Sequence, residues 1–401
     1  MIVPAIGGLD FVHLGIVPEG YGRSVADDAQ GPINDGRIMK EYRRACFWRL
    51  ATVAMSVVAL NPVTGAPQLP ALNPALFAGK PARLDSGVIG EVVRFESHSP
   101  AEWADLLSND VGASVELAGQ IFRPRAAQGK MPAIILVPGS GGIAPHHLRQ
   151  TDALLAVGFV VMLIDPFGGR GIGGTVADQG RLSWAASTYD VGAAFQYLLT
   201  RPGVDGNAIG AVGSSRGGTA VMMAAMEPIS RVLRRNGHRL RAVVAGYPWC
   251  GVQFRNSRLT AGTTLLAMSG DRDNWVSLQQ CQGAVQALAN RGQNARLMIF
   301  PGALHAFDRE GVPPTEIPGA PTSTTYPTVY MNDAGHYFDL RSDAIDPRLT
   351  SDDFTRAAVK GGFIRTGVTV GTQGDQADQY VAEMVRFLRE QLIPKPRRVV
   401  R

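Results

Sequence analysis

Apolar residues along this chain alternate between short continuous runs and segments with helical spacing. Continuous apolar runs, such as AIILV at residues 133–137 and FVVMLI at residues 159–164, predict strands that are buried on both faces. Apolar residues that recur every three or four positions predict helices, with the clearest stripe at residues 376–392. Further strands are expected near residues 208–212, 241–245, 263–268 and 296–300, and further helices at residues 150–157 and 184–199.

This alternation predicts an α/β domain at residues 90–392, with a mostly parallel central sheet and helices on both faces. Residues 91–96 and 113–122 are expected to form an antiparallel pair that opens the sheet. Residues 309–354 are rich in Pro, Thr and Asp and show little periodicity. Long segments of this kind are usually functional, so an insertion or lid over the active site is expected there.

The N-terminal part of the chain has a different pattern. Residues 39–66 combine a basic start, an apolar core of about ten residues and a small-residue site, which is typical of a secretory signal peptide. Residues 1–38 are then expected to be an extension of the gene model or disordered, and residues 67–89 a linker or arm. The core is shorter than the roughly twenty residues of a membrane span. A periplasmic or secreted protein without a stable membrane span is therefore expected, the alternative being a short apolar helix packed on the domain.

Composition narrows the range of partners. The 401 residues are 45% hydrophobic and 18% charged, which is typical of a globular protein with a sizeable core. The net charge of +5 is modest and lies partly in two clusters, residues 40–49 and the tail at 393–401. No aromatic-plus-basic module is present, so no nucleic-acid partner is expected. Cys250 and Cys281 could form a disulfide or remain as two buried thiols.

Two sequence patterns resemble cofactor-binding motifs but lack the flanking residues that such sites need. Residues 169–174 read GRGIGG, but Asp165, Pro166 and Phe167 lie between the preceding strand and the glycines and no helix begins promptly, so no dinucleotide site is expected. Arg170 in this loop could reach a substrate carboxylate or a structural one. His146 and His147 have no partner at ligand spacing, so they are expected to be surface histidines rather than metal ligands. No metal or other cofactor is expected.

A candidate nucleophile, Ser215, lies at the centre of the sequence GSSRGG at residues 213–218. An apolar run of strand type precedes it and the helix-compatible run TAVMMAAM follows it. A serine on such a tight turn between strand and helix needs very small neighbours, which the glycines supply. This context predicts a nucleophile elbow.

A base and an orienting acid are expected after later strands, in the order Ser, Asp, His. The strand near residues 263–268 leads into GDRDNW and the strand near 296–300 leads into PGALHAF. His305 is therefore the candidate base and Asp273 the candidate acid, with Asp271 as a rival that spacing does not exclude. The expected oxyanion donors are the amide of Arg216 and an amide in the glycine turn after residue 137, at Ser140 with Gly141 as the alternative.

Together these motifs resemble the dienelactone-hydrolase-like branch of the α/β-hydrolase superfamily, over residues 90–310 and the last helix. The resemblance lies in VPGSGG, DPFGGRGI, GSSRGG, GYPWC, GDRDNW and FPGALHAFD. It implies an α/β-hydrolase fold and favours Asp273 and His305 in the roles of acid and base. The founding members use a cysteine nucleophile where this chain has Ser215, and Pro138 replaces the usual histidine before the oxyanion glycine.

The sequence therefore predicts a serine hydrolase that cleaves a small-molecule ester through an acyl-enzyme, using Ser215, His305 and Asp273. Two alternatives remain open: a peptidase or amidase of prolyl-oligopeptidase-like type, and a non-catalytic binding protein with this fold. Trp249 and Trp275, which follow strands, could line the pocket or belong to the core.

Overall fold

The computed structural model describes residues 77, 79–126, 129–234 and 237–393. Helices and strands alternate along most of this part of the chain. In chain order they are β1 (Glu91–His98), α1 (Trp103–Ser108), β2 (Ser114–Phe122), β3 (Met131–Val137), α2 (Pro145–Ala156), β4 (Val160–Asp165), α3 (Trp184–Leu199), β5 (Val204–Ser214), α4 (Arg216–Ala224), α5 (Glu227–Leu233), β6 (Ala242–Gly246), β7 (Val252–Phe254), β8 (Thr264–Gly270), α6 (Leu278–Ala289), β9 (Ala295–Phe300), β10 (Thr315–Thr322), β11 (Val329–Met331), α7 (Ser351–Lys360), β12 (Arg365–Val370) and α8 (Gln376–Leu392).

The centre of the fold is an eight-stranded sheet in the order β1-β2-β4-β3-β5-β6-β8-β9. All neighbours from β4 to β9 run parallel, whereas β1 and β2 form an antiparallel pair and β2 is antiparallel to β4. The predicted fold class, an α/β-hydrolase fold with a mostly parallel sheet, is confirmed. The antiparallel opening pair is also present as expected.

The sheet is buried on both faces because its central strands are apolar at consecutive positions. In β3, Ile135 and Val137 pack into one hydrophobic cluster with side chains of α3, α4 and α6. Ile134 and Leu136, which point to the opposite face, pack into a second cluster with α2 and α8. Successive strand residues alternate between faces, so an uninterrupted apolar run serves both helical layers at once.

The segment at residues 309–354 contains more regular structure than its sequence predicts. β10 pairs in antiparallel fashion with β12, which lies beyond the expected end of the insertion, and β11 pairs in parallel with β7. The β10 sequence TEIPGAPT lacks apolar alternation, and its register shifts between Ile317 and Pro321. Its strand character comes from partners distant in the chain, which local periodicity does not reveal.

The expected N-terminal extension at residues 1–38 and signal peptide at 39–66 lie outside the described residues. Part of the expected arm at 67–89 is described, and it lies against β2. The Gln120 side chain accepts a hydrogen bond from the Ala82 amide at 2.7 Å and donates to the carbonyl oxygens of Phe77 and Lys80 at 2.6 and 2.9 Å. Among the described helices, none is both long and apolar enough to cross a membrane.

Cys250 and Cys281 form a disulfide with a Cα–Cα distance of 5.1 Å. It joins the segment after β6 to helix α6, and both residues are buried. The sequence left this pairing open because connectivity depends on tertiary proximity. The disulfide fixes the position of Trp249, the residue that precedes Cys250.

Candidate active site

Ser215 occupies a sharp turn between β5 and α4, with a backbone φ of +54°. Its amide donates to the Gly246 carbonyl oxygen at 2.8 Å, which ties the turn to β6. A Cβ atom on Gly213 would lie 2.1 Å from the Gly217 oxygen, and one on Gly217 would lie 2.3 Å from the Val137 oxygen. Only glycine fits at these two positions, so the small residues of the motif are what permit this strained turn.

His305 lies between Ser215 and Asp273. Its Nε2 atom is 2.9 Å from the Ser215 Oγ atom, and its Nδ1 atom is 2.7 Å from the Asp273 Oδ2 atom. The side chains of His305 and Asp273 are 2% and 1% exposed. The second carboxylate oxygen of Asp273 accepts hydrogen bonds from the amides of Trp275 and Val276 at 2.8 and 3.0 Å. The carboxylate is therefore fixed in place facing the imidazole.

These three residues reach one another because they follow parallel strands of the same sheet. Ser215 follows β5, Asp273 follows β8 and His305 follows β9, and the carboxyl ends of parallel strands lie at one edge. Asp271, the rival acid, instead accepts a hydrogen bond from the Gly302 amide at 2.7 Å and is exposed. The geometry thus places Asp273, and not Asp271, against the histidine.

The glycine turn after β3 lies directly beside Ser215. A Cβ atom on Gly139 would be 3.1 Å from the Ser215 Cβ atom, so the turn approaches the nucleophile closely. Ser140 donates its hydroxyl to the Gln179 Oε1 atom at 3.0 Å, and its carbonyl oxygen accepts from the Thr175 amide at 2.8 Å. Within the described part of the chain, the Ser140 amide has no hydrogen-bond acceptor. That amide is available to a ligand.

The Arg216 side chain has a role that the sequence did not suggest. It is buried and stacks on the Trp184 ring at 4.1 Å. Its guanidinium group donates to the carbonyl oxygens of Leu182 and Gln179, to the Gln179 Oε1 atom and to the Ser187 hydroxyl. Burial lowers the pKa of Arg216 to about 9, against an opposing effect of Asp178. Gln179 thereby links Arg216 to Ser140, the two predicted oxyanion residues.

A buried polar cluster lies beneath the Ser-His-Asp group and was not predicted. Asp308 accepts hydrogen bonds from the Tyr247 hydroxyl at 2.6 Å, from Gln150 Nε2 at 2.8 Å and from the Ser214 hydroxyl at 3.3 Å. The Tyr247 ring meets the His305 ring edge-on, with centroids 4.7 Å apart. Asp308 thus connects the residue before the nucleophile to the ring that supports the histidine. Sequence patterns do not reveal such a cluster because its members lie on four separate segments.

The expectation that His146 and His147 are surface histidines is wrong. Both are buried near the start of α2, with ring centroids 3.8 Å apart. Burial, followed by the charge of Arg309, lowers the pKa of His146 well below its ordinary value. Burial and then the neighbouring His146 lower the pKa of His147 in the same way. The first part of α2, residues 145–152 (PHHLRQTD), is mostly polar, so its sequence gave no indication that this end is buried.

Arg170 is a structural residue. Its guanidinium group binds both carboxylate oxygens of the buried Asp190, at 2.8 and 2.9 Å, and also contacts the carbonyl oxygens of Pro166 and His98. The described residues contain no group of three or more His, Cys, Asp or Glu side chains that could hold a metal ion. Trp249 and Trp275 both line a large cavity that has Ser215 in its wall.

The parallel sheet, the strained serine turn and the Ser-His-Asp arrangement at the strand ends define an α/β-hydrolase. Residues 117–324 match the dienelactone hydrolase family, and the chain belongs to that family of hydrolases. The resemblance noted from the motifs is confirmed.

Individual relatives are distant. "Probable 2-oxo-3-(5-oxofuran-2-ylidene)propanoate lactonase" from Bradyrhizobium sp is 25% identical over 222 residues, which cover 51% of this chain and 83% of the relative. "Uncharacterized peptidase YuxL" from Bacillus subtilis (strain 168) is 24% identical over 232 residues, which cover 50% of this chain and 35% of the relative. The structure of a thermophilic esterase from Thermogutta terrifontis aligns with 20% identity and a TM-score of 0.38, over 49% of this chain and 81% of the esterase.

Proposed function

We propose that the protein is a serine hydrolase that cleaves carboxylic esters through an acyl-enzyme. The observation that carries the proposal is the continuous hydrogen-bond chain from the Ser215 hydroxyl through His305 to Asp273, with distances of 2.9 and 2.7 Å. Each distance is within the range needed for proton transfer or for fixing a tautomer.

In the first half of the proposed reaction, the Ser215 oxygen attacks the ester carbonyl carbon while its proton passes to the His305 Nε2 atom. Asp273 accepts a hydrogen bond from Nδ1–H and stabilises the imidazolium that forms. The carbonyl oxygen becomes an oxyanion, for which the amides of Arg216 and Ser140 are the proposed donors. When the tetrahedral intermediate collapses, the bond to the alcohol oxygen breaks and His305 returns the proton to that oxygen.

In the second half, a water molecule attacks the acyl carbon and gives its proton to His305. Collapse of the second tetrahedral intermediate breaks the bond to the Ser215 oxygen, which recovers the proton from His305. The products are a carboxylic acid and an alcohol. A lactone is a cyclic ester, so the same steps would open the ring of a substrate such as the one in the lactonase relative's name.

The test is covalent labelling. A fluorophosphonate probe should modify the wild-type protein, and peptide mapping should locate the adduct on Ser215 rather than on its buried neighbour Ser214. The variant Ser215→Ala should lose both the labelling and the hydrolysis of p-nitrophenyl acetate, whereas Ser342→Ala, which changes an exposed serine, should retain both. Full activity in Ser215→Ala would refute the proposal.

A peptidase or amidase function is the second candidate, because one relative carries the name of a peptidase. Amides have a poorer leaving group than esters, so this activity demands efficient protonation of the leaving nitrogen by His305. A panel of p-nitrophenyl esters and matched p-nitroanilides separates the two functions. Faster turnover of the anilides would favour the peptidase. Binding of ligands without any turnover or labelling would favour a non-catalytic protein.

We also propose that the protein is exported. The signal-like segment at residues 39–66 supports this proposal, as does the Cys250–Cys281 disulfide, because disulfides persist mainly in oxidising compartments. N-terminal sequencing of protein from the periplasm or medium should find a chain that begins near residue 66. A mature chain that still contains residues 40–60 would contradict cleavage.

A further inference from the structure

The cavity at Ser215 is much larger than a small ester requires. Its volume is about 950 Å³. Cavities of roughly 300–1,000 Å³ hold whole drug-sized ligands, whereas an acetyl group has only three heavy atoms besides the alcohol part. Three parts of the chain line it besides the strand ends, namely residues 99–102, 177–186 and 321–364. A substrate that fills this space has a bulky group on at least one side of the ester bond.

Four aromatic side chains line the cavity: Trp184, Trp249, Trp275 and Tyr326. The Trp184 and Trp249 rings are 4.6 Å apart, and Trp249 meets Tyr326 edge-on at 5.5 Å. Trp275 also lines the cavity, with its ring 4.8 Å from the His305 ring. Trp184 and Trp249 are only half-buried, so part of each ring is open to a ligand. Aromatic faces and edges of this kind favour contact with another aromatic ring.

The two half-buried tryptophans are held in place from behind. The Trp249 amide donates to the Thr219 hydroxyl at 2.8 Å, and the next residue, Cys250, is in the disulfide. Trp184 lies against the buried Arg216 guanidinium group. A wall that is ordered before the ligand arrives loses little conformational entropy on binding.

The charged groups in the lining are mostly acidic. Three carboxylate side chains contribute to it, those of Glu102, Asp178 and Asp352. Of the two arginines in the lining, Arg170 is already neutralised by Asp190, whereas Arg181 is exposed, as are Asp178 and Asp352. An anionic group that entered the cavity would meet more negative than free positive charge. An uncharged group would meet no such repulsion.

We infer that the natural substrate is an ester with an uncharged aromatic group, which packs against Trp184 and Trp249 while Ser215 attacks the ester carbonyl. This inference rests on the proposed esterase function and adds the substrate class. Helix α7 contributes Ser351, Asp352, Thr355 and Val359 to the lining of the cavity. Val359 is 60% exposed, which leaves an apolar side chain free to contact the ring.

Three methyl esters test the substrate class. Methyl 4-acetylbenzoate has an uncharged ring, monomethyl terephthalate replaces the acetyl group with a carboxylate of similar size, and methyl acetate has no ring. We expect kcat/KM for methyl 4-acetylbenzoate to exceed the values for the other two by about tenfold or more. Equal or higher kcat/KM for monomethyl terephthalate or methyl acetate would overturn the inference.

A matched pair of variants on α7 tests whether the aromatic group of the substrate binds in this cavity. Val359→Trp places bulk in the cavity, and Ala357→Trp places the same bulk at an exposed position of α7 outside the lining. Val359→Trp should change KM for methyl 4-acetylbenzoate by about fivefold or more while methyl acetate stays within about twofold. Ala357→Trp should leave both esters unchanged. The same effect from both variants, or none from Val359→Trp, would contradict binding of the aromatic group in this cavity.

A charge reversal tests whether the acidic side chains of the lining disfavour anionic substrates. Asp352→Lys should raise kcat/KM for monomethyl terephthalate by about threefold to tenfold at low salt, with little change for methyl 4-acetylbenzoate. Fluorophosphonate labelling separates two kinds of failure. If the protein is not labelled and cleaves no ester, the proposed function is refuted. If it is labelled and cleaves methyl acetate without preferring the aromatic ester, only the proposed substrate class is refuted.

Discussion

Two regions meet at Ser215 and differ in construction. The catalytic edge, residues 213–217, 271–275 and 303–307, follows strands of the central sheet, and its His and Asp side chains are almost fully buried. The insertion wall, residues 321–364, consists of short strands, turns and one helix, and many of its side chains are exposed. Under the proposed function, the sheet fixes the chemistry and the insertion contributes to substrate selection, so changes in the two regions should affect different kinetic constants.

Backbone strain follows the same division. Of the five non-glycine residues with positive φ in the described part of the chain, three surround the catalytic edge: Ser215, Tyr247 and Ala306. Only Asp343 lies in the insertion wall. Strained residues cost of the order of 1–3 kcal/mol each and persist only where the surroundings enforce them. The buried contacts of Asp308 with Ser214 and Tyr247 are part of that enforcement.

The largest expected effect is on kcat at the catalytic edge. Asp273→Asn should lower kcat for p-nitrophenyl acetate by about 10⁴-fold, because the amide stabilises the wrong histidine tautomer. The matched control Asp271→Asn changes an exposed carboxylate two residues away that accepts a hydrogen bond from the Gly302 amide, and kcat should stay within about threefold. If Asp271→Asn were the more damaging change, the position of the acid at this edge would be wrong.

The next largest effect is expected on the free energy of unfolding, from loss of the disulfide that follows Trp249 in the chain. The double variant Cys250→Ser/Cys281→Ser opens a loop between residues 31 positions apart. The chain-entropy treatment gives a loss of about 3.7 kcal/mol in the free energy of unfolding. Urea unfolding of the variant and the wild type under non-reducing conditions measures it. A loss below about 1 kcal/mol would show that packing around Trp249 does not depend on the disulfide.

A smaller effect is expected from the cluster beneath the histidine. Tyr247→Phe removes the hydroxyl that donates to Asp308 but keeps the ring against His305. Loss of one donor to a buried carboxylate should cost about 1–3 kcal/mol in urea unfolding. Tyr330→Phe, an exposed position on the insertion wall, should cost less than about 0.5 kcal/mol. Equal losses in the free energy of unfolding for the two variants would show that the hydroxyl groups contribute equally to stability in the two regions.

The smallest effect concerns the contact of the insertion wall with residue 102. The Ser351 amide and hydroxyl donate to the Glu102 carboxylate at 2.9 and 2.7 Å, yet burial raises the pKa of Glu102 above its ordinary value of 4.5. The folded state therefore binds this proton more tightly than the unfolded state, and the carboxyl group costs stability as the pH rises above 4.5.

Glu102→Gln removes this titration. The melting temperature of the variant relative to the wild type should therefore rise as the pH increases from 4.5 towards neutrality. The exposed Glu91→Gln should show no such trend. A constant difference for Glu102→Gln across this range would show that the contact with Ser351 offsets the cost of burying the charge, and a fall would show that it exceeds that cost.

The sequence was sufficient to predict the central sheet because its signals are local. Continuous apolar runs such as residues 133–137 need no information about partners to indicate a strand buried on both faces. The glycines around Ser215 likewise indicate a tight turn by themselves. The strands of the insertion could not be predicted in this way. β10 pairs with β12, which is more than forty residues further along the chain, and neither strand shows strong apolar alternation.

Sequence alone therefore determined the strands of the central sheet and their order along the chain, the resemblance to the family and the candidates Ser215, Asp273 and His305, since each depends on local pattern and on the ends of parallel strands. Tertiary structure decided which aspartate faces His305, that Cys250 and Cys281 are joined, and that His146 and His147 are buried. It also brought Asp308 beneath the histidine and the Trp184 and Trp249 rings together beside Ser215. These properties depend on distances between segments far apart in the chain, and local residue patterns do not encode those distances.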